Sequence, residues 1–481
     1  MLNMGKYEAV IGLEIHAQLS TESKLFCGDA TRFGAAPNTH VSPITLGHPG
    51  TLPKTNTKAI EYAIKMGLAC GCDIAQENYF ARKNYFYPDL PKGYQISQHT
   101  TPICVGGNIV INTAEGEKNI QLNRIHLEED AGKSIHDISP NDTFIDLNRA
   151  GTPLIELVTE PCIYSAEDAF LFVTEVRKLV RWLDVCDGNM EEGSLRCDAN
   201  ISVRLKGDPV LGTRVEVKNL NSIRNIKKAI EFEIERLIQL IETGGNIIQQ
   251  TRSFDASNDT TFSIRDKEDA NDYRYFPDPD LAPFHLTNEY IASIKAALPS
   301  LPNELKAAWK VAFGLSAYDT EQLCEHKGEA DFFIKLTQQT KHYKAAANWM
   351  IGPIRAYLNE TQLGYSDIEG SLPYLVELFN LVEAGQLNFS VASNKVFKAI
   401  MEQPQSPSEY AKANNLIQTQ SSESIANWIE EVLSANPEKV AEYKKGKKGL
   451  IGLFMGEVKK KSKGTADPKK TTQLLEQKLS S

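Results

Sequence analysis

Residues 195–204 read LRCDANISVR, and their polarity alternates without a break. Leu195, Cys197, Ala199, Ile201 and Val203 fall on one side of an extended chain; Arg196, Asp198, Asn200, Ser202 and Arg204 fall on the other. Successive side chains of a β-strand point to opposite faces, so the segment specifies a strand with one buried and one charged face. A slip of one residue would put every apolar group in water, which pins the register too. The same alternation recurs in VIGLEIHAQL, NRIHLEEDAG, TFIDLNRAGTPLIELV and TRVEVKNL, all within residues 1–280. Two stretches there, 166–183 and 223–245, have helical spacing, and the second closes on a glycine pair suited to a left-handed C-cap. Many strands and few helices predict an α+β fold with a large, mainly antiparallel sheet, not an alternating βαβ array.

With 481 residues, the chain is too long for one hydrophobic core. FPDPDLAP (276–283) holds three prolines and reads as a boundary, after which helical patterning dominates. A second polar break, EQPQSPSEY (402–410), precedes the tail. The expected division is 1–290, 291–404 and 405–481. Charge is uneven along it. Residues 441–481 carry eleven lysines against four acids, a net +7 that leaves −17 for residues 1–440 of a chain whose total is −10. A basic tail on an acidic body predicts a polyanionic partner for the tail. No apolar run approaches the ~18 residues of a membrane span, and the first residues alternate instead of forming a signal-peptide core. A cytoplasmic, non-membrane protein is expected. Its eight cysteines include no C-x-x-C pair, so reduced thiols are expected.

The polar faces of the strands carry the chemistry. Glu14, His16 and Gln18 alternate with apolar residues in IGLEIHAQL; His126 and Glu128 do so in RIHLEEDAG, with Glu129 and Asp130 at the strand's end. Glu156 interrupts the apolar run of TPLIELVTE and needs a partner if buried. Neighbouring strands would converge these carboxylates on one surface, and such oxygen ligands suit Mg²⁺ while leaving positions for phosphate oxygens. Arg196, Arg204, Arg214 and Lys218 could pair with those phosphates. Standard nucleotide motifs are missing: AGKS (131–134) resembles a P-loop end, but Leu127 stands where its first glycine belongs. RKNYFYPDLPKGYQISQ (82–98) and NDYRYFPDPDL (271–281) combine aromatic and basic residues, as surfaces that stack on unpaired bases do.

With IDLNRAGTPLIELVTEP (145–161), HLEEDAGKS and MEEGSLRCDAN, these segments resemble the B subunits of the glutamyl/aspartyl-tRNA amidotransferases, the GatB family. The likeness runs from Tyr7 into the tail. It implies a cradle domain similar to glutamine synthetase with an ATP- and Mg²⁺-dependent kinase site, then a helical domain and a tail similar to YqeY proteins. It also implies partners: an amidase A subunit that releases ammonia from glutamine, a small C subunit, and tRNA(Gln) or tRNA(Asn) misacylated with glutamate or aspartate. The B subunit would phosphorylate the side-chain carboxylate for amidation. By motif, Glu14, His16, Glu129 and Glu156 are the expected metal and catalytic residues, with Glu128 the alternative to Glu129, since either could face the site, and with Glu192 and Asp198 as further ligands. Arg196 and Lys218 are expected at phosphates. Arg82, Lys83 and Tyr85 are expected to contact RNA, as are tail lysines 444, 445, 447, 448, 459, 460, 461 and 463 (Lys444, Lys445, Lys447, Lys448, Lys459, Lys460, Lys461 and Lys463).

One departure stands out. Many members of that family bind zinc through C-x-C and C-x-x-C pairs; here the matching text is Cys27-Gly28-Asp29 and Ser42-Pro43-Ile44-Thr45, so no zinc is expected. Two other readings remain open: a free-standing ATP-dependent ligase acting on a small acid, which would not need the basic tail, and a non-catalytic RNA-binding scaffold, which would not need the carboxylates.

Overall fold

The alternating segment does form a strand, and it lies in the interior of a 13-stranded sheet. In the computed structural model, which describes residues 4–136, 138–266, 273–418, 422–462 and 464–480, ten strands form the sheet's main path. They are β1 (Tyr7–Gln18), β2 (Ala81–Asn84), β3 (Tyr94–Ser97), β4 (Gly116–Glu129), β5 (Pro153–Thr159), β6 (Leu195–Leu205), β7 (Val215–Leu220), β8 (Gln250–Asp255), β9 (Thr260–Asp266) and β10 (Phe276–Pro277). Their spatial order is β9-β8-β7-β6-β1-β5-β4-β3-β2-β10. Every adjacent pair is antiparallel except β7 with β8.

One face of this sheet is dry. Ile11, Leu13 and Ile15 of β1, Ile125 and Leu127 of β4, and Ala199 and Ile201 of β6 are at most 1% exposed and share one core. Truncating any of these leucines or isoleucines to alanine would cost about 2–5 kcal/mol. Helices α1 (Thr57–Ala69), α2 (Ala166–Trp182) and α3 (Ile223–Glu242) belong to the same unit. Helix α2 starts at Ser165, whose hydroxyl accepts from Asp168 N, and buries Ala169, Phe172, Val173, Val176 and Val180 at helical spacing. Helix α3 starts on Ser222 in the same way and ends before Gly244, whose φ of 78° supplies the left-handed turn. It packs against β6, and α2 packs against α3. The helices thus cover the apolar face and leave the polar face open.

This first unit runs Met1–Leu301. The proline-rich stretch 276–283 is folded into it and is not a linker between units: Asp278 N donates to Phe80 O, and its carboxylate holds Arg82 Nε at 2.7 Å. The second unit, Pro302–Ser481, is helical. Trp349 is central to its first part, 5.2 Å from the Phe379 ring and 5.1 Å from that of Phe389. Near the C-terminus, helices Ser422–Ser434, Ile451–Lys461 and Pro468–Ser480 close a separate core around Ile425, Ile429, Phe454, Val458 and Leu475. Among the described residues, no helix is long and apolar enough to cross a membrane.

Candidate active site

Strand register lays four functional groups in a line across the open face. His126 of β4 stands opposite Glu156 of β5, Glu156 opposite His16 of β1, and His16 opposite Arg196 of β6. Each occupies the polar parity of its strand, so all four side chains leave the same side of the sheet. Glu156 Oε2 lies 3.3 Å from His16 Nε2 and 3.6 Å from His126 Nε2. Glu128, two residues along β4, brings Oε2 to 3.7 Å from His126 Nε2. One donor atom from each of His16, Glu128 and Glu156 lies within 4.8 Å of the others.

Burial sets the electrostatics. Glu128 is 4% exposed and Glu156 8%. Desolvation pushes both carboxyls up, but nearby cations outweigh it. His126, His16 and Lys83 hold Glu156 well below the usual carboxylate range, and His126 and Lys83 hold Glu128 below it. For His16, burial pushes the imidazole down, yet the Glu156 hydrogen bond and charge dominate and the net direction is upward. His126 Nδ1 is buried and has no hydrogen-bond partner.

A second acidic cluster lies alongside. Glu14, two residues from His16 on β1, faces Asp198 of β6, and Glu216 of β7 completes a group whose oxygens lie within 4.8 Å of one another. Asn200 Nδ2 donates to Glu14 at 2.9 Å and Thr251 Oγ1 to Glu216 at 2.9 Å. Lys218 neutralises part of this cluster, pairing with Asp198 and lying 3.5 Å from Glu216. Hard carboxylate oxygens with one imidazole suit Mg²⁺, so both donor sets fit that ion.

Several expected residues lie elsewhere. Glu129 is not part of the first cluster; Glu128 takes its place. Strand alternation puts Glu129 on the same side as Leu127, where it pairs with Lys92 and accepts from Ile96 N at 2.9 Å. Glu14 belongs with Asp198 and Glu216, not with His16. Glu192 is exposed and in neither cluster; it borders a cleft of about 770 Å³ that Arg196, Asp198 and Lys218 also line. Arg196 donates to Asp130 Oδ2 at 2.7 Å, with its Nε buried and unpartnered. Arg82, Lys83 and Tyr85 do not form one surface. Arg82 pairs with Asp278 and Asp280 beneath the Tyr94 ring, whereas the charge of Lys83 acts on Glu128 and Glu156. Tail lysines Lys444, Lys445, Lys447, Lys448, Lys459, Lys460 and Lys461 are exposed, and Lys463 lies outside the described residues. Sequence reasoning missed His126 and Glu216 as members of these groups and left Glu128 open against Glu129, although the parity of the strands already singled all three out.

The positions matching a zinc clip in the resembling family do converge. Asp29 Oδ2 accepts from Ser42 N at 2.8 Å, Thr45 Oγ1 at 2.5 Å and Cys27 Sγ at 3.2 Å. Zinc binds thiolate, imidazole and carboxylate. One thiol, one carboxylate already engaged by three donors and two hydroxyl side chains do not fit it.

Residues 9–292 match the family model described as the GatB/GatE catalytic domain, and residues 331–479 match the GatB domain. Three similar proteins are each described as the B component of an aspartyl/glutamyl-tRNA(Asn/Gln) amidotransferase. That of Nitratidesulfovibrio vulgaris is 45% identical over 478 residues, that of Oleidesulfovibrio alaskensis 46% over 476, and that of Alkalilimnicola ehrlichii 47% over 478. Each alignment covers 99% of this chain and 100% of the relative.

Proposed function

Because this chain belongs to the GatB/GatE family of tRNA amidotransferase components, we propose that its polar sheet face uses ATP to activate the side-chain carboxylate of glutamate or aspartate carried on tRNA(Gln) or tRNA(Asn). A carboxylate resists nucleophiles because of its charge. In the proposed reaction its oxygen attacks the γ-phosphorus, the bond to the ADP oxygen breaks, and an acyl phosphate forms. Ammonia then attacks the acyl carbon, the carbon–oxygen bond to phosphate breaks, and the nitrogen loses a proton to give the amide. The ammonia comes from glutamine in an amidase A subunit, and a small C subunit completes the complex.

Mg²⁺ bound at these donors would neutralise phosphate charge during phosphoryl transfer. His16, Glu128 and Glu156 would hold one ion, and Glu14, Asp198 and Glu216 a second. The chain's own contribution is position. The sheet fixes each ligand through register, and Asn200, Thr251 and Gln95 orient Glu14, Glu216 and Glu128. Arg196 and Lys218 line the adjoining cleft, where phosphate oxygens would find cations. The domain would be a cradle of the glutamine synthetase kind. Lysines of the tail would meet tRNA phosphates and add affinity without reading bases.

The line of His126, Glu156 and His16 carries this reading, since a wet sheet face has no need for a buried carboxylate between two imidazoles. The test is ATP hydrolysis by the purified three-subunit complex, with uncharged and misacylated tRNA. Hydrolysis that requires the misacylated form supports the reading. Turnover on a free amino acid without tRNA, or no turnover at all, overturns it.

A further inference from the structure

Two of the cations beside the acidic clusters are tied to carboxylates, whereas Lys83 is not. Arg196 is held by Asp130, and Lys218 by Asp198 and Glu216. Among the described residues, no carboxylate oxygen lies within 4.0 Å of the Lys83 ammonium. Aromatic faces hold it instead. Its Nζ is 5.0 Å from the Tyr273 ring centroid and 5.9 Å from that of Tyr85. Tyr275 continues this wall, edge-on to Tyr273 at 6.1 Å and stacked on His99 at 3.9 Å.

The backbone places this lysine where the clusters need it. Lys83 of β2 pairs with Gln95 of β3, and the Gln95 amide donates to Glu128 Oε1 at 2.8 Å. Tyr85 Oη donates to the same Gln95 at 3.3 Å. An aromatic face attracts a cation but leaves its charge uncancelled. A half-buried ammonium held in this way acts on Glu128 and Glu156 through space and has no carboxylate in direct contact, so it can also meet an incoming anion, in surroundings that screen it less than water does.

We propose that Lys83 is a catalytic residue of this site: its ammonium binds the oxyanion that enters beside His16, Glu128 and Glu156, either the substrate carboxylate or the γ-phosphate of ATP. The inference rests on the phosphorylation reading above. During transfer the carboxylate oxygen bonds to phosphorus and the ADP oxygen leaves, so charge moves between two oxyanions while Lys83 keeps its proton. Charge stabilisation of this kind is worth about 10²–10³-fold in rate.

Lys83→Met, Lys83→Arg and Glu156→Gln, each in the three-subunit complex, separate the possibilities. Lys83→Met is expected to lower kcat for tRNA-dependent ATP hydrolysis by about 10²-fold or more. Its Tm and its affinity for uncharged tRNA should stay within experimental error of the unmutated complex, and Lys83→Arg should recover part of the rate. A raised KM for misacylated tRNA assigns the oxyanion to the carboxylate, and a raised KM for ATP assigns it to the phosphate. Near-normal kcat, or weaker tRNA binding with normal kcat, overturns the role of Lys83. So does a rate loss explained by a fallen Tm that arginine does not rescue. If the unmutated complex shows no tRNA-dependent hydrolysis, or Glu156→Gln leaves it intact, the phosphorylation reading fails and the inference falls with it.

Discussion

Glu156 and His16 face each other across antiparallel strands, with Oε2 3.3 Å from Nε2. Both lie at positions where an isolated charge would be costly, and each is stabilised by the other. Glu156→Gln keeps the shape and removes the charge. It is expected to lower tRNA-dependent ATP hydrolysis by about 10²–10³-fold while glutaminase activity of the A subunit stays measurable. His16→Ala should do the same. ATP hydrolysis near the unmutated rate in either variant would break the assignment.

Glu128 and Glu129 are adjacent in sequence but lie on opposite faces, which makes them a sharp pair of substitutions. Glu128→Gln removes an oxygen from the first cluster and should raise the Mg²⁺ concentration needed for half-maximal ATP hydrolysis by about tenfold or more. Glu129→Gln weakens contacts to Lys92 and Ile96 N on the other side of the sheet. Its main effect should be a lower Tm, with the Mg²⁺ requirement unchanged. A Mg²⁺ titration of both variants reads the difference directly.

That pair also shows how far the sequence can be read. Period-two alternation is enough to predict the mainly antiparallel sheet, and it places Glu14, His16, Glu156, Arg196, Asp198 and Lys218 on one face. Parity selects Glu128 as well, but the motif LEEDAG offers two carboxylates, and the family resemblance points to the one on the far side. Which strands lie side by side is another matter, because it depends on long-range pairing. Nothing local says that β1 inserts between β5 and β6, or that His126 ends up opposite Glu156. Lys83 is hidden for a similar reason. Its neighbour Tyr273 lies 190 residues further along the chain, so a basic and aromatic loop looks like an RNA surface when only Lys83 and Tyr85 turn toward the clusters.

Asp29 gathers hydrogen bonds from Ser42, Thr45 and Cys27, and that makes a prediction about pH and chelators. Burial pushes its carboxyl up, but donors from Thr45, Ser42 and Cys27 outweigh this and hold it below its ordinary value. A depressed carboxyl contributes stability above its unfolded pKa and loses it as pH falls through the folded value. Asp29→Asn should therefore lower Tm at neutral pH, by the equivalent of about 1–3 kcal/mol. The gap between variant and unmutated protein should narrow as the pH falls below the ordinary aspartate value of about 3.9. A zinc chelator should leave the Tm of the unmutated protein unchanged. A chelator-induced fall in Tm would mean that metal, not this hydrogen-bonded knot, holds residues 27–45 together.

The basic tail makes a prediction that separates affinity from chemistry. Lys444, Lys459 and Lys460 are exposed on short helices and Lys445 at the end of one, around a core of their own, so reversing them leaves that core intact. Phosphate contacts release counterions, and each one lost should reduce the slope of log Kd against log salt by roughly one. Replacing these four lysines with glutamate, or deleting residues 406–481, should weaken tRNA binding most at low salt. Affinity for ATP should remain, because the clusters that would receive it lie on β1, β4, β5, β6 and β7 of the first unit. Filter binding across a salt series measures the first effect and nucleotide titration the second. Unchanged tRNA affinity would take the tail out of RNA recognition, and a parallel loss of ATP binding would show that the lysines act on the catalytic unit instead.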